Sequence, residues 1–177
     1  MALVEVVAKK QNQHSKMLCQ AKVETPPTEW VQICVDAAFL CSGDSGWGVY
    51  SKEEGGEVIF TDAGRLACLT DALHAESLAM INAIRFVEEF GMGQVIFIMV
   101  CLLLKLALGS VTWDHAPLGI LFREAKFKLQ MDFVDYKIDV CSHLCNIPAH
   151  LLAGCGSTAM IDSQCIWFTN LRQDINA

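Results

Sequence analysis

The chain has 177 residues, a length that suits one domain with a sizeable core. A hydrophobic fraction of 53% argues against a disordered chain, and a formal net charge of −7 excludes a general electrostatic attraction to phosphate. Nine cysteines in a chain this long do not indicate a disulfide scaffold, and no signal peptide is visible. We therefore expect reduced thiols in the cytosol or nucleus.

The N-terminal half predicts an arm followed by three strands. Residues 1–25 show no periodicity and predict an arm, which Pro26-Pro27 closes as a stiff linker. Nearly continuous apolar residues in WVQICVDAAF predict a central strand that is buried on both faces. The turn CSGDSG, the strand GWGVYSKEE, the connection Gly55-Gly56 and the strand EVIFTDAGRLA then predict an antiparallel meander.

The C-terminal half alternates helices with strands. A helix is predicted from Thr70 to Phe90, with Thr70 or Asp71 as its N-cap, Gly91 at its C-terminal end, and Ala75 and Ala79 among its inner residues, whereas Ser77 is predicted to face outwards. The remaining segments predict a strand, two helices, a strand and a last helix, in the order QVIFIMV, CLLLKLAL, APLGILFREAKFKLQ, DFVDYKIDVC and NIPAHLLAG. The order β-β-β-α-β-α-α-β-α predicts an α/β domain with a mixed five-stranded sheet.

The apolar segment 95–108 resembles a membrane span only superficially. It is fourteen residues long and contains Lys105, whereas a span needs roughly twenty apolar residues. We therefore predict a buried strand that leads into a buried helix, and no membrane partner.

Two carboxylates interrupt apolar patterns. Asp36 lies within the first strand, and Glu76 has only apolar neighbours three and four residues away on its helix. A carboxylate in an apolar stripe is costly unless it binds a metal ion or a partner. Hydrolysis of a phosphodiester by two metal ions requires several such oxygen ligands from different elements. An aspartate that caps a loop or pairs with an arginine is the alternative for Asp36.

Five segments together carry a family resemblance. Over residues 26–156 the chain resembles the plant ribonuclease H type-1 domain that is associated with reverse transcriptases of retroelements. The motifs that carry the resemblance follow one another in the order of that family: TPPTEWVQICVDAAF, GWGVY, DALHAESLAMINAI, APLGILFREAKFKL and CNIPAHLLA. The resemblance implies a ribonuclease H-like fold with helices on both faces of the sheet. It also implies an endonuclease that hydrolyses the RNA strand of RNA–DNA hybrids, with Mg²⁺ or Mn²⁺ as cofactor.

The resemblance also assigns the site. Asp36 matches the first catalytic acid and Glu76 the second, and both are implied metal ligands; His150 matches the fourth position. The third acid falls at Val100, where the family typically has Glu-Thr-Asp-Ser and this chain has Ile98-Met99-Val100-Cys101. We expect Mg²⁺ to bind weakly, if at all, because valine offers no ligand atom. Hybrid ribonuclease activity is therefore expected to be weakened or lost at a degenerate active site.

Other residue patterns leave alternatives. Arg123 and Lys126 share a helix face that is predicted to contact a nucleic-acid backbone, although a solvated face explains them as well. Asp44 and Asp114 could replace the acid missing at Val100 only if they approach the site. A role in a turn or as a helix cap explains both residues as well. His143 lies in the loop between the last strand and the last helix, where assistance in product release and a plain loop histidine are the alternatives, and the second is favoured.

The cysteine and histidine spacing Cys141-x3-Cys145-x4-His150-x4-Cys155 is one residue away from a zinc knuckle, but the helix predicted there argues against one. We predict an arm over 1–25, a ribonuclease H-like domain over 26–156 and a tail over 157–177. The alternative to a nucleic-acid-binding domain is a protein-interaction module or a retroelement remnant without catalytic activity.

Overall fold

The computed structural model describes residues 26–40, 45–53, 55–159 and 164–168. Its strands are β1 Val31–Ala38, β2 Ser45–Lys52, β3 Val58–Leu66, β4 Gln94–Met99, β5 Asp135–Val140 and β6 Gln164–Phe168. Its helices are α1 Ala72–Glu89, α2 Leu102–Leu108, α3 Gly119–Asp132 and α4 Ile147–Ser157, with 3-10 helices at Val111–His115 and His143–Cys145. The predicted arm and most of the turn after β1 lie outside these residues.

The strands form one mixed sheet in the order β5-β4-β1-β2-β3-β6. Strands β1, β2 and β3 form the predicted antiparallel meander, whereas β4 is parallel to both β1 and β5. The predicted α/β class is confirmed, and so are the five predicted strands, which are β1 to β5. Strand β6 was not predicted; it pairs antiparallel with β3, so part of the predicted tail forms an edge strand.

Helices cover both faces of the sheet, as expected. The larger core cluster joins the sheet to α1, whose inner residues Ala75 and Ala79 are fully buried, and includes apolar residues of α2 and α3. The smaller cluster lies beneath α4 and includes Cys34 and Leu152. The outward orientation of Ser77 was a wrong prediction: Ser77 is buried, and its hydroxyl donates a hydrogen bond to the Leu73 carbonyl at 2.6 Å. That bond within the helix satisfies a small polar side chain without water.

The predicted ends of α1 are confirmed. The side chain of Asp71 accepts a hydrogen bond from the backbone N–H of His74 at 2.8 Å, which satisfies a donor that has no partner within the helix. Gly91 adopts a φ of 66° just beyond the last turn and donates its N–H to the Glu88 carbonyl. A residue without a side chain suits this left-handed conformation.

Helix α4 lies unusually close to the sheet because glycines face each other there. A Cβ atom on Gly48 of β2 would lie 2.5 Å from the Ala149 carbonyl oxygen and would overlap the backbone of Ala153. Gly46 and Gly156 show the same crowding against the opposite backbone. This glycine contact sets the height of α4 above β2 and β1, and therefore the position of any side chain that α4 directs towards the end of β1.

The apolar segment 95–108 divides as predicted into β4 and the short helix α2. The predicted burial of this helix was wrong for one side of it, because Leu102, Leu103 and Leu106 are exposed. Within the part of the chain that the structure describes, every helix is too short or too polar to cross a membrane.

Most of the cysteines whose side chains the structure describes are free thiols. Free thiols are present at Cys34, Cys68, Cys101, Cys141 and Cys155, but Cys145 is disulfide-bonded. A reduced compartment therefore stays a prediction, and the disulfide does not favour it. The zinc-knuckle alternative does not fit, because residues from Ile147 onwards form α4 and a knuckle needs a compact loop.

Candidate active site

The candidate site lies at the carboxyl ends of the two central parallel strands. The pairing of β1 with β4 ends at Cys34 and Ile98, so Asp36 and Val100 lie beyond the last paired residues. In open α/β sheets, ligands bind at the carboxyl ends of strands. Asp36, the first candidate acid, and Val100, at the position of the third, therefore both lie where such a site is expected.

Asp36 is almost completely buried, with 1% of its surface exposed. Its Oδ2 lies 2.8 Å from Nδ1 of His150 on α4. Burial raises the pKa of Asp36, whereas the hydrogen bond and charge of His150, and the charge of His143, act in the opposite direction. The first and fourth positions of the predicted site are thus in direct contact.

Asn146 links α4 to β1 and was missed by the sequence analysis. It is completely buried, and its Nδ2 donates a hydrogen bond to the Val35 carbonyl at 2.9 Å, one residue before Asp36. Its own carbonyl accepts the backbone N–H of His150 at 3.1 Å. Asn146 therefore fixes the start of α4 on β1, and His150 follows one turn later above Asp36. The sequence signal that could have identified Asn146 is its position in CNIPAHLLA, one helical turn before His150.

His143 lies in the site, although the sequence favours a plain loop histidine over a role in product release. It begins the 3-10 helix before α4, and its carbonyl accepts the backbone N–H of Asn146. The rings of His143 and His150 meet edge to face, with centroids 5.4 Å apart. One ligand atom each from Asp36, His143 and His150 lies within 4.8 Å of the others. We call these three residues the Asp-His-His cluster.

Glu76 lies near the cluster without belonging to it. It is partly buried on α1, and burial, followed by the charge of Asp36, raises its pKa to about 8. Because the charge of Asp36 raises the pKa of Glu76, β1 and α1 place the two carboxyl groups close enough to interact electrostatically. Because the raised pKa lies above neutrality, the Glu76 carboxyl is largely protonated at pH 7 when no cation is present.

The donor set at this site fits Mg²⁺ poorly. Val100 is partly buried and has no ligand atom, and the adjacent Cys101 is a half-buried thiol whose pKa is raised by burial. Asp36 is bonded to an imidazole, and Glu76 does not belong to the Asp-His-His cluster. Mg²⁺ prefers near-octahedral oxygen ligands. The structure brings together one carboxylate and two imidazoles, which is a different ligand chemistry.

The basic residues predicted to bind nucleic acid are engaged within the chain. Arg123 donates a hydrogen bond to the Asp114 carbonyl. The ammonium of Lys126 lies 2.5 Å from both the Asp114 carboxylate and the Ser110 carbonyl. Both side chains attach α3 to the preceding 3-10 helix, so their contact with nucleic acid stays a prediction. Asp114 is occupied by this ion pair, and Asp44 lies outside the described residues.

Solved structures share this architecture. The ribonuclease H1 of the halophilic archaeon Halobacterium salinarum is 21% identical and superimposes with a TM-score of 0.65 over 72% of this chain and 96% of that chain. LC11-RNase H1 in complex with an RNA/DNA hybrid is 19% identical, with a TM-score of 0.61 over 70% of this chain and 94% of that one. The foamy viral protease-reverse transcriptase with an RNA/DNA hybrid is 15% identical, with a TM-score of 0.59 over 80% of this chain and 22% of the viral chain.

No protein-family model and no curated protein sequence matches the chain. The structural similarities nevertheless establish the ribonuclease H-like fold. They are too distant in sequence to establish more than the fold, so what the site does has to be argued from the residues that this chain places there.

Proposed function

We propose that this chain is a ribonuclease H type-1-like domain that binds RNA–DNA hybrids and cleaves their RNA strand weakly or not at all. The observation that carries the proposal is the buried Asp36 at the carboxyl end of β1, bonded to His150, with Val100 at the end of the neighbouring strand β4. The first two residues support descent from a nuclease site. The valine supports weakened cleavage, because it removes an oxygen ligand where the family has an acid.

Hybrid binding is supported by the fold and by the matched motifs. Two of the structures that share the fold contain RNA/DNA hybrids, and the five motifs follow the family order. The motifs also support an origin in a plant retroelement. A place of action in the cytoplasm or nucleus is proposed from the cysteine pattern and the absence of a visible signal peptide. With a net charge of −7 and with Arg123 and Lys126 engaged internally, we expect binding to be weak and to weaken further with added salt.

A protein-interaction module is the second candidate function, and the outer face of α3 favours it. Ile120, Phe127 and Met131 are each about two-thirds exposed, and their spacing places them on one stripe of the helix. An apolar stripe of this kind is typical of surfaces that contact other proteins. The two functions are distinguished by whether the protein prefers a hybrid over other nucleic acids.

Binding and cleavage of a labelled hybrid test the proposal. Fluorescence anisotropy would compare an RNA–DNA hybrid with double-stranded DNA of the same sequence, and cleavage would be followed with Mg²⁺ and with Mn²⁺. We expect measurable preference for the hybrid, and at most slow cleavage, which Asp36→Asn should remove. Asp135→Asn, at an exposed position on β5, is the matched control. Rapid cleavage that Asp36→Asn abolishes would refute a degenerate site, and no preference for the hybrid would favour the interaction module.

A further inference from the structure

The Asp-His-His cluster is the feature that the proposed function leaves unexplained. Its three ligand atoms come from β1, from the 3-10 helix at His143–Cys145 and from α4, and all lie within 4.8 Å of one another. Around a tetrahedral zinc ion, donor atoms about 2.0–2.1 Å from the metal are separated by about 3.3 Å. Oδ2 of Asp36 and Nδ1 of His150 share a hydrogen bond at 2.8 Å, so a cation that binds both atoms takes the place of the shared proton and moves the two atoms slightly apart.

The cluster combines a fixed carboxylate with two accessible imidazoles. Asp36 is buried, whereas His143 is exposed and the side chain of His150 is 54% exposed. A cation can therefore enter from solvent, and the exposed side leaves room for a water molecule as a further ligand. Three protein ligands and one open position are typical of zinc sites that are not purely structural.

The backbone holds the two histidines in a common frame. The backbone N–H of buried Asn146 donates a hydrogen bond to the His143 carbonyl at 3.1 Å, and the Asn146 carbonyl accepts one from the backbone N–H of His150 at 3.1 Å. The contact between Asn146 and the Val35 carbonyl ties the same frame to β1 beside Asp36. Pre-ordered ligands lower the entropic cost of binding a cation, and outer hydrogen bonds of this kind orient metal-binding groups in proteins.

We infer that Asp36, His143 and His150 form a binding site for a late first-row divalent cation such as Zn²⁺ or Co²⁺, in preference to Mg²⁺. Imidazole nitrogen suits these metals, and affinity for a mixed nitrogen and oxygen site rises along the first row. Mg²⁺ requires more oxygen ligands than this chain supplies around Asp36. The inference goes beyond the proposed function and does not depend on hybrid binding, because the cation would bind the metal-free protein directly.

Titration with Co²⁺ tests the site with a spectroscopic signal that activity does not influence. We expect one equivalent to bind, with visible absorption bands of four- or five-coordinate Co²⁺ and no thiolate charge-transfer band in the near ultraviolet. His143→Ala and His143→Gln should weaken binding by at least about 100-fold, because each removes one of three protein ligands. His143 is exposed, so both variants should keep the circular dichroism of the parent.

Matched controls separate this site from other ligands in the chain. His115→Ala changes an exposed histidine in the other 3-10 helix and should leave Co²⁺ binding unchanged. Zn²⁺ should raise the thermal unfolding midpoint at a concentration at least about 100-fold below that needed for Mg²⁺. The inference is overturned if Co²⁺ does not bind, if binding survives in both His143 variants, or if a thiolate band shows that cysteines are the ligands. Loss of hybrid binding with retained Co²⁺ binding would refute only the proposed function.

Discussion

Replacing Glu76 with glutamine should remove most of a pH dependence of stability that the site creates. In the metal-free protein, burial and the charge of Asp36 hold the pKa of Glu76 at about 8, whereas its ordinary value is 4.5. Between these values the folded chain keeps a proton that the unfolded chain has lost. The free energy of unfolding should therefore fall as pH rises from about 4.5 to about 8, and should then level off.

The magnitude follows from the difference between the two pKa values. A difference of about 3.5 corresponds to roughly 5 kcal/mol if it is realised in full. Glu76 is only partly buried, and water and side-chain relaxation reduce such costs, so we expect about half of this, roughly 2–3 kcal/mol. Glutamine stays neutral at every pH and has nearly the same shape, so Glu76→Gln should lack this contribution.

Urea unfolding at pH 5 and pH 9 in the presence of a chelator measures the effect. The parent protein should lose roughly 2–3 kcal/mol more than Glu76→Gln between the two pH values. Glu89→Gln, at an exposed position near the end of the same helix, is the control and should keep the parent pH dependence. Asp36→Asn should reduce the dependence in part, since it removes one of the two causes of the raised pKa. Equal pH dependence in the parent and Glu76→Gln would refute the electrostatic argument.

Three further substitutions test other parts of the structure. Val100→Asp should restore an oxygen ligand and raise the rate of hybrid cleavage with Mg²⁺ above that of the parent protein. Asp36→Asn in the Val100→Asp protein should abolish this gain. If the Val100→Asp protein folds and binds Mg²⁺ but cleaves no faster, the valine is not the cause of the weak activity. Asn146→Ala should lower the free energy of unfolding by about 1–3 kcal/mol, because a buried β1 carbonyl loses its side-chain donor, and urea unfolding would show it. Gly48→Ala should destabilise the folded protein by about 2 kcal/mol or more in thermal unfolding, because there is no room for a methyl group between β2 and α4. Gly55→Ala is the control: its methyl group would meet no atom within 4 Å, so stability should change by less than about 0.5 kcal/mol.

The sheet and its helices were predictable because local patterns and the final packing agree. The apolar runs around Asp36 and in β4, the Asp71 cap and the inner alanines of α1 each depend on neighbours that are close in sequence. Ser77 was mispredicted because its burial depends on what surrounds α1. Strand β6 was missed because its pairing with β3 joins segments about a hundred residues apart, and a short strand carries little signal of its own.

The candidate acids were also visible in the sequence, because a carboxylate in an apolar stripe is costly and therefore conspicuous. Asp36, Glu76 and the valine at position 100 needed only the periodicity of their elements and the order of the motifs. What those residues contact was decided by the tertiary structure. Nothing local indicates that Arg123 and Lys126 are bound to the preceding 3-10 helix, since long charged side chains reach several partners.

The ligand chemistry of the site was likewise decided only in three dimensions. His143 and Asp36 are separated by more than a hundred residues, and they meet because glycines let α4 lie against β2 while Asn146 fixes its first turn on β1. Local periodicity is enough to predict which elements form and where the unusual carboxylates lie in them. Whether imidazoles or further oxygens surround Asp36 depends on the height and rotation of one helix, and close packing between distant segments determines both.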